Sequence, residues 1–201
     1  MIKAIIFDVG GVLLRTQEYS YRRNWEKKLG LKEWKSETIV FNSEMGQKAQ
    51  QGHISDDQLW DWVGKQLDLQ PADLTQFRHD FWAGDVLDID LIDYIRQLQA
   101  IYQTAIISNY GDGLRPFLIT HQIDDAFDEI IISAEEKVMK PDARIYQIAL
   151  AKLGRKPEEA VFIDDFMHNV EGARNLGMHA IHFTPQTDLA TELEKLGVEH
   201  V

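Results

Sequence analysis

The chain has 201 residues and carries 21 Lys and Arg against 33 Asp and Glu, a formal net charge of −12 that argues against nonspecific nucleic-acid binding, which needs a cationic face. It contains no cysteine, which excludes thiol catalysis, disulfides and cysteine–metal sites and fits a reducing compartment. At 44% apolar residues it has material for one large domain or a core with a smaller insert, and no stretch approaches the roughly 20 apolar residues of a membrane span.

The first element predicted is a strand. Ile2 to Phe7 is a short apolar run that delivers Asp8 into a glycine turn, Gly10-Gly11, before Val12-Leu13-Leu14. Runs bounded this way read as buried parallel strands, and ligands bind beyond the carboxyl ends of such strands. Asp8 breaks the run after about five residues and no cleavage-site pattern follows, so the start does not read as a signal peptide. The expectation is a soluble, cytoplasmic protein.

Residues 15–85 change character. They hold all five tryptophans, Trp25, Trp34, Trp60, Trp62 and Trp82, with helical spacing and no convincing strand. Tyr19, Arg22, Arg23, Glu26 and Leu29 suit one helix. Ser55-Asp56-Asp57 caps the next clear one, whose apolar face is Leu59, Trp62, Val63 and Leu67. Pro71 starts a third, which ends at Ala83-Gly84-Asp85, a hinge-like segment. This stretch has 10 Lys and Arg and 12 Asp and Glu, so it is far less acidic than the remainder. Its tryptophans read mainly as the core of a small helical unit, with one or two left to face a site.

From residue 86 onward strands and helices alternate. The pattern predicts helices over 88–100, 113–121, 142–153, 169–176 and 187–196. It predicts strands at 104–109, 129–133, 160–165 and 179–183. Alternation of this kind implies a parallel sheet with right-handed crossovers. The fold class expected is α/β: a Rossmann-like parallel core of residues 1–14 and 86–201, with residues 15–85 inserted as an α-helical cap.

Three strands end in chemistry on one sheet edge: Asp8, Ser108-Asn109 and Asp164-Asp165. Carboxylates so placed suit a hard divalent ion such as Mg²⁺. Side chains alternate along a strand, so of the aspartate pair one faces the site and the other supports it. The plainer reading is that the pair opens a loop or caps a helix. Ser108 reads as a phosphate-oxygen ligand or as a turn serine. Lys140, just before Pro141-Asp142 at a helix start, reads as an anion ligand aimed at Asp8 or as a solvated lysine.

The order of these signals is more specific than any one of them. Phe7-Asp8-Val9-Gly10-Gly11-Val12-Leu13, Ile107-Ser108-Asn109, Lys140-Pro141 and Phe162-Ile163-Asp164-Asp165 resemble the four motifs of the haloacid dehalogenase superfamily. Asn169 to Met178 matches that family's continuation, and the helical insert resembles its first type of cap. The motif pattern is similar to sugar-phosphate phosphatases of the glucose-1-phosphatase kind and to the phosphatase domain of epoxide hydrolases. The resemblance implies an Mg²⁺-dependent phosphatase acting on a small phosphorylated metabolite, such as a sugar phosphate, through an aspartyl-phosphate. Asp8 would be the nucleophile. Mg²⁺ would be held by Asp8, the carbonyl of Gly10 and Asp165, with Asp164 in support. Ser108, the Asn109 backbone and Lys140 would bind the phosphoryl oxygens. No nucleic-acid or membrane partner is implied, and the oligomeric state is not written in the sequence.

One departure stands out. Most phosphatases of the family carry an aspartate two positions after the nucleophile as acid and base; here Gly10 stands there. That leaves two alternatives, a phospho-ligand-binding protein with little catalysis and a 2-haloacid dehalogenase. His53, in a turn of the insert, is a candidate substitute acid or a plain surface histidine.

Overall fold

A computed structural model describes residues 1–199. The chain runs β1 (Ala4–Phe7), β2 (Leu14–Thr16), α1 (Ser20–Lys28) and α2 (Lys35–Glu37), then a π-helical turn over Thr38–Asn42. Next come α3 (Glu44–Gln50), α4 (Asp56–Gln66), α5 (Pro71–Trp82) and β3 (Asp85–Leu87). The remainder alternates: α6 (Ile89–Gln99), β4 (Gln103–Ser108), α7 (Leu114–Thr120), β5 (Glu129–Ile132), α8 (Ser133–Glu136) and α9 (Ala143–Leu153). It closes with β6 (Ala160–Asp164), α10 (Met167–Asn175), β7 (His179–His182) and α11 (Leu189–Glu194).

Five strands form one sheet in the order β5-β4-β1-β6-β7, and every neighbouring pair is parallel. β1 is the middle strand, and all four of its residues are buried. Its alternation feeds two cores. Ile5 and Phe7 join one apolar cluster with Ile106, Val161 and Ile163, while Ala4 and Ile6 join another with Ile107, Phe162 and Tyr146. A sheet covered on both faces explains why these strands read as unbroken apolar runs. The α/β parallel fold expected from the sequence is the fold observed.

The register sets the site. Phe7 lies opposite Ile106 on one side and Ile163 on the other. Asp8, the end of β4 and Asp164 therefore reach the same edge at the same level.

The helices from α1 to α5 gather a third apolar cluster of their own, including Trp25, Val40, Leu59, Trp60, Val63, Phe77 and Phe81. Trp25 and Trp60 are buried, Trp62 and Trp82 half-buried, and Trp34 exposed. Ser55 caps α4 through a reciprocal capping box with Gln58.

No convincing strand is expected within 15–85, and here the structure differs. β2 and β3 pair antiparallel, Leu14 with Leu87, Arg15 with Val86 and Thr16 with Asp85. Three residues are too short to show a period of two, so the ribbon left no pattern. It carries both chain crossings between the sheet and the helical segment, and Gly84 lies so close that a Cβ there would come within 1.9 Å of the Glu18 carbonyl oxygen. Among the described residues no helix is long and apolar enough to cross a membrane.

Candidate active site

β1 ends where its apolar run ends, and the chain then turns sharply. Leu13 and Leu14 donate backbone hydrogen bonds to the Val9 carbonyl, and Gly11 adopts a φ of 74°. The Val9 N–H donates to Asp8 Oδ1 at 2.7 Å, which fixes the carboxylate at the sheet edge. Gly11 has a second reason to be glycine: a Cβ there would come within 2.1 Å of Asp165 Oδ2. At Gly10 an added Cβ would meet nothing within 4 Å.

Lys140 is buried and reaches both strand-end carboxylates. Its Nζ lies 2.8 Å from Asp8 Oδ2 and 2.6 Å from Asp164 Oδ2. Burial alone would lower its pKa, but the charges of Asp8 and Asp164 outweigh burial and hold the ammonium above its ordinary value. Asn109 sets this lysine in place. Its side chain donates to the Lys140 carbonyl at 3.0 Å and accepts from the Lys140 N–H at 2.8 Å. Asn109 therefore contributes its amide to positioning Lys140, a contact that its place beside Ser108 did not announce.

Asp164 is wholly buried and fully engaged. Besides Lys140, it accepts from the Phe166 N–H at 2.7 Å and from the Asn169 amide at 3.1 Å. Asn169 is in turn held through its carbonyl by the Tyr146 hydroxyl at 2.8 Å. Asp165 is the opposite case: its Oδ1 is buried with no hydrogen-bond partner. The His182 ring meets the Asp165 backbone carbonyl at 2.9 Å.

Oxygens of Asp8, Asp164 and Asp165 lie within 4.8 Å of one another. Three carboxylates against one ammonium leave a surplus of negative charge in a buried place. Burial, only partly offset by Lys140, pushes the Asp8 carboxyl up to about 7. Burial and the charge of Asp164 push Asp165 up to about 6. A divalent cation would relieve both strains at once, and the orphaned Asp165 oxygen is a vacant hard ligand. The donor set, all oxygen, fits Mg²⁺.

Ser108 ends β4 beside this cluster. It is 2% exposed, and its hydroxyl has no hydrogen-bond partner among the described residues. His53 is elsewhere: it is exposed in the turn after α3, with its N–H on the Lys48 carbonyl and its ring unpartnered among the described residues.

A parallel sheet with a strand-end carboxylate, a buried lysine and an aspartate pair on one edge has counterparts. The haloacid dehalogenase-like hydrolase family model matches residues 2–177. The chain belongs to that family and is a hydrolase of its kind. It is 26% identical to a sesquiterpene phosphatase of Aspergillus oryzae, over 96% of each chain. It is 25% identical to a D-ribitol-5-phosphate phosphatase of Bacteroides thetaiotaomicron, over 96% of this chain and 97% of the other. A solved HAD family enzyme from Bacteroides thetaiotaomicron, in complex with magnesium and inorganic phosphate, shares the fold with a TM-score of 0.81 at 20% identity, over 96% and 99% of the two chains.

Proposed function

We propose that this protein is an Mg²⁺-dependent phosphatase that hydrolyses a small phosphate monoester through an aspartyl-phosphate on Asp8. The observation that carries the reading is the buried Lys140 bridging Asp8 and Asp164 beside an unpartnered Asp165 oxygen. The relatives named above act, by their names, on phosphorylated small molecules, which supports the same reading.

Asp8, the Gly10 carbonyl and Asp165 would hold the metal, with Asp164 orienting the cluster through Lys140 and Asn169. When bound, Mg²⁺ neutralises phosphoryl and carboxylate charge and lets them approach. One Asp8 oxygen attacks phosphorus, the ester P–O bond breaks, and the alcohol oxygen leaves. Lys140, the Ser108 hydroxyl and the Asn109 N–H bind the equatorial phosphoryl oxygens, where negative charge spreads in the transition state. Water then attacks the same phosphorus, the bond to Asp8 breaks, and inorganic phosphate is released. Position 10 offers no carboxyl, so the departing alcohol takes its proton from water. Residues 15–85 act as the cap that encloses this edge.

The test is phosphate release from an aryl phosphate with and without Mg²⁺, for the wild type and for Asp8→Asn. Metal-dependent release lost in the variant is the expected result. Gly10 favours one second reading, a phospho-ligand-binding protein with little turnover. That reading predicts Mg²⁺-dependent affinity for a phosphorylated ligand and no release over hours. The dehalogenase alternative calls for halide release from a 2-haloacid in the presence of EDTA, and nothing in a buried three-carboxylate cluster recommends it.

A further inference from the structure

Asp165 stands in a short bend between β6, which ends at Asp164, and α10, which begins at Met167. Packing does not hold this bend: Phe166 is 65% exposed and Met167 42%, so neither side chain anchors it to a core. Phe166 also takes the N-cap position of α10, where it has no side-chain oxygen to offer. Hydrogen bonds hold the bend instead. Asp164 fixes its start through Lys140, the Phe166 N–H and the Asn169 amide. The Asp165 carbonyl lies past the end of the β1–β6 ladder, whose last pair is Phe7 with Ile163. Among the described residues its one donor is the His182 ring, at 2.9 Å.

The edge strand β7 brings that ring to the bend. His182 pairs in register with Asp164, and the next residue, Phe183, donates its N–H to the Asp164 carbonyl at 2.9 Å. Ile181 and Phe183 turn into the core that holds Ile163, so His182 faces the other side of the sheet, where Ala173 of α10 joins Phe162. A carbonyl only accepts, so the ring carries a proton on Nε2 and donates it. The Asp165 carboxylate lies over Gly11, where a Cβ would come within 2.1 Å of Oδ2, and its Oδ1 has no partner. With Oδ1 unpartnered, the carboxylate takes its direction from the peptide that carries it. His182 itself is half-buried and also lines an open surface groove with Arg174, His179 and Lys195, so trimming it leaves both apolar cores intact.

We infer that His182 is a positioning residue of the metal site: its Nε2–H holds the Asp165 peptide and thereby aims the Asp165 carboxylate at the cation. The inference rests on the phosphatase reading for the cation that Asp165 would hold, and it adds the residue that sets the direction of that ligand. Groups that orient a metal ligand without touching the metal tune affinity nearly as strongly as the ligands do.

The experiment measures Mg²⁺ affinity by calorimetry for the wild type and for His182→Gln, His182→Asn and His182→Ala. Glutamine puts its amide nitrogen where Nε2 stands, and asparagine falls one methylene short. The expected result is an affinity near wild type in His182→Gln and one weaker by about tenfold or more in His182→Asn and His182→Ala, the usual scale for such a residue. Release of phosphate from an aryl phosphate by the two weak variants then returns at high Mg²⁺ with KM for the ester unchanged, which a general loss of structure would not allow. His179→Ala, at an exposed position of the same strand, leaves the affinity unchanged. If His182→Ala does not fold, the glutamine and asparagine variants decide the matter. Equal affinity in all, or His182→Gln as weak as His182→Asn, overturns the inference, and with Mg²⁺-dependent phosphate release intact it leaves the phosphatase reading standing. Affinity that follows the donor at position 182, with no ester hydrolysed by the wild type, overturns the phosphatase reading and leaves the His182 assignment standing. A wild type that takes up no Mg²⁺ overturns both.

Discussion

On the proposed mechanism Gly10 stands where a carboxyl would protonate the leaving alcohol, and the space beside it is open: a Cβ there meets nothing within 4 Å. Gly10→Asp is therefore expected to fold unchanged and to speed hydrolysis of esters with poor leaving groups by about 10²-fold or more, the usual scale of acid–base help. The measurement is kcat across aryl phosphates of graded leaving-group pKa, whose slope should be steep in the wild type and shallow in the variant. Equal slopes would remove the acid–base account of position 10. The neighbouring glycine behaves oppositely. A Cβ at Gly11 would collide with Asp165 and would sit at positive φ, so Gly11→Ala should weaken Mg²⁺ binding about tenfold or more by calorimetry. The carboxyls of Asp8 and Asp165, raised to about 7 and about 6, give the site a pH dependence. In the unfolded chain both titrate near ~4. The metal-free fold thus holds extra protons between these values. The stability those groups contribute is full below ~4 and is lost as pH climbs through 6 and 7. A cation displaces those protons, so the rise in melting temperature caused by Mg²⁺ should be larger at about pH 8 than at about pH 5. An equal rise at both would contradict the shared titration.

At the scale of elements, one arginine ties α1 to the crossing by which the chain leaves the helical segment. Arg22 is buried in α1, donates to the Phe81 carbonyl at 2.7 Å and pairs with both oxygens of Asp85 in β3 at 2.8 and 2.9 Å. Its guanidinium also lies 4.3 Å from the Phe81 ring centre. Removing one partner of such a buried pair costs about 3–5 kcal/mol, so Arg22→Ala should lower unfolding free energy by that amount in urea titrations. A loss within experimental error would show the ribbon does not depend on it. This device was not legible in the sequence. Arg22 and Glu26 read there only as members of one helix, yet both are buried, and Arg22 has a partner 63 residues away. The long helices and the buried strands were legible, because apolar period and caps are local signals. The ribbon of β2 and β3 and the π-helical turn at Thr38–Asn42 were not, since three to five residues carry no readable period.

For the molecule as a whole, the strand-end chemistry was written plainly and its supports were not. Asp8, Ser108 and Asp164-Asp165 each close an apolar run, and a parallel sheet must bring such ends together. What holds them comes from contacts across the fold: Asn109 on the Lys140 backbone, Asn169 on Asp164 and His182 on the Asp165 carbonyl. The helices from α1 to α5 keep their own apolar cluster, apart from the two that cover the sheet. That separation is what a cap able to move over the site requires; the two parts touch at Trp82 against Tyr110, and also where Ser133 and Lys137 donate to the Gln50 and Gly52 carbonyls. The central claim is that Asp8 takes the phosphoryl group. Its most direct test is to quench the wild type during Mg²⁺-dependent turnover of a labelled aryl phosphate and map the label by mass spectrometry. The account predicts a hydroxylamine-labile phosphoryl group on the peptide containing Asp8, and no phosphate release by Asp8→Asn. Turnover in the wild type with no label on that peptide, or undiminished release by Asp8→Asn, would contradict it.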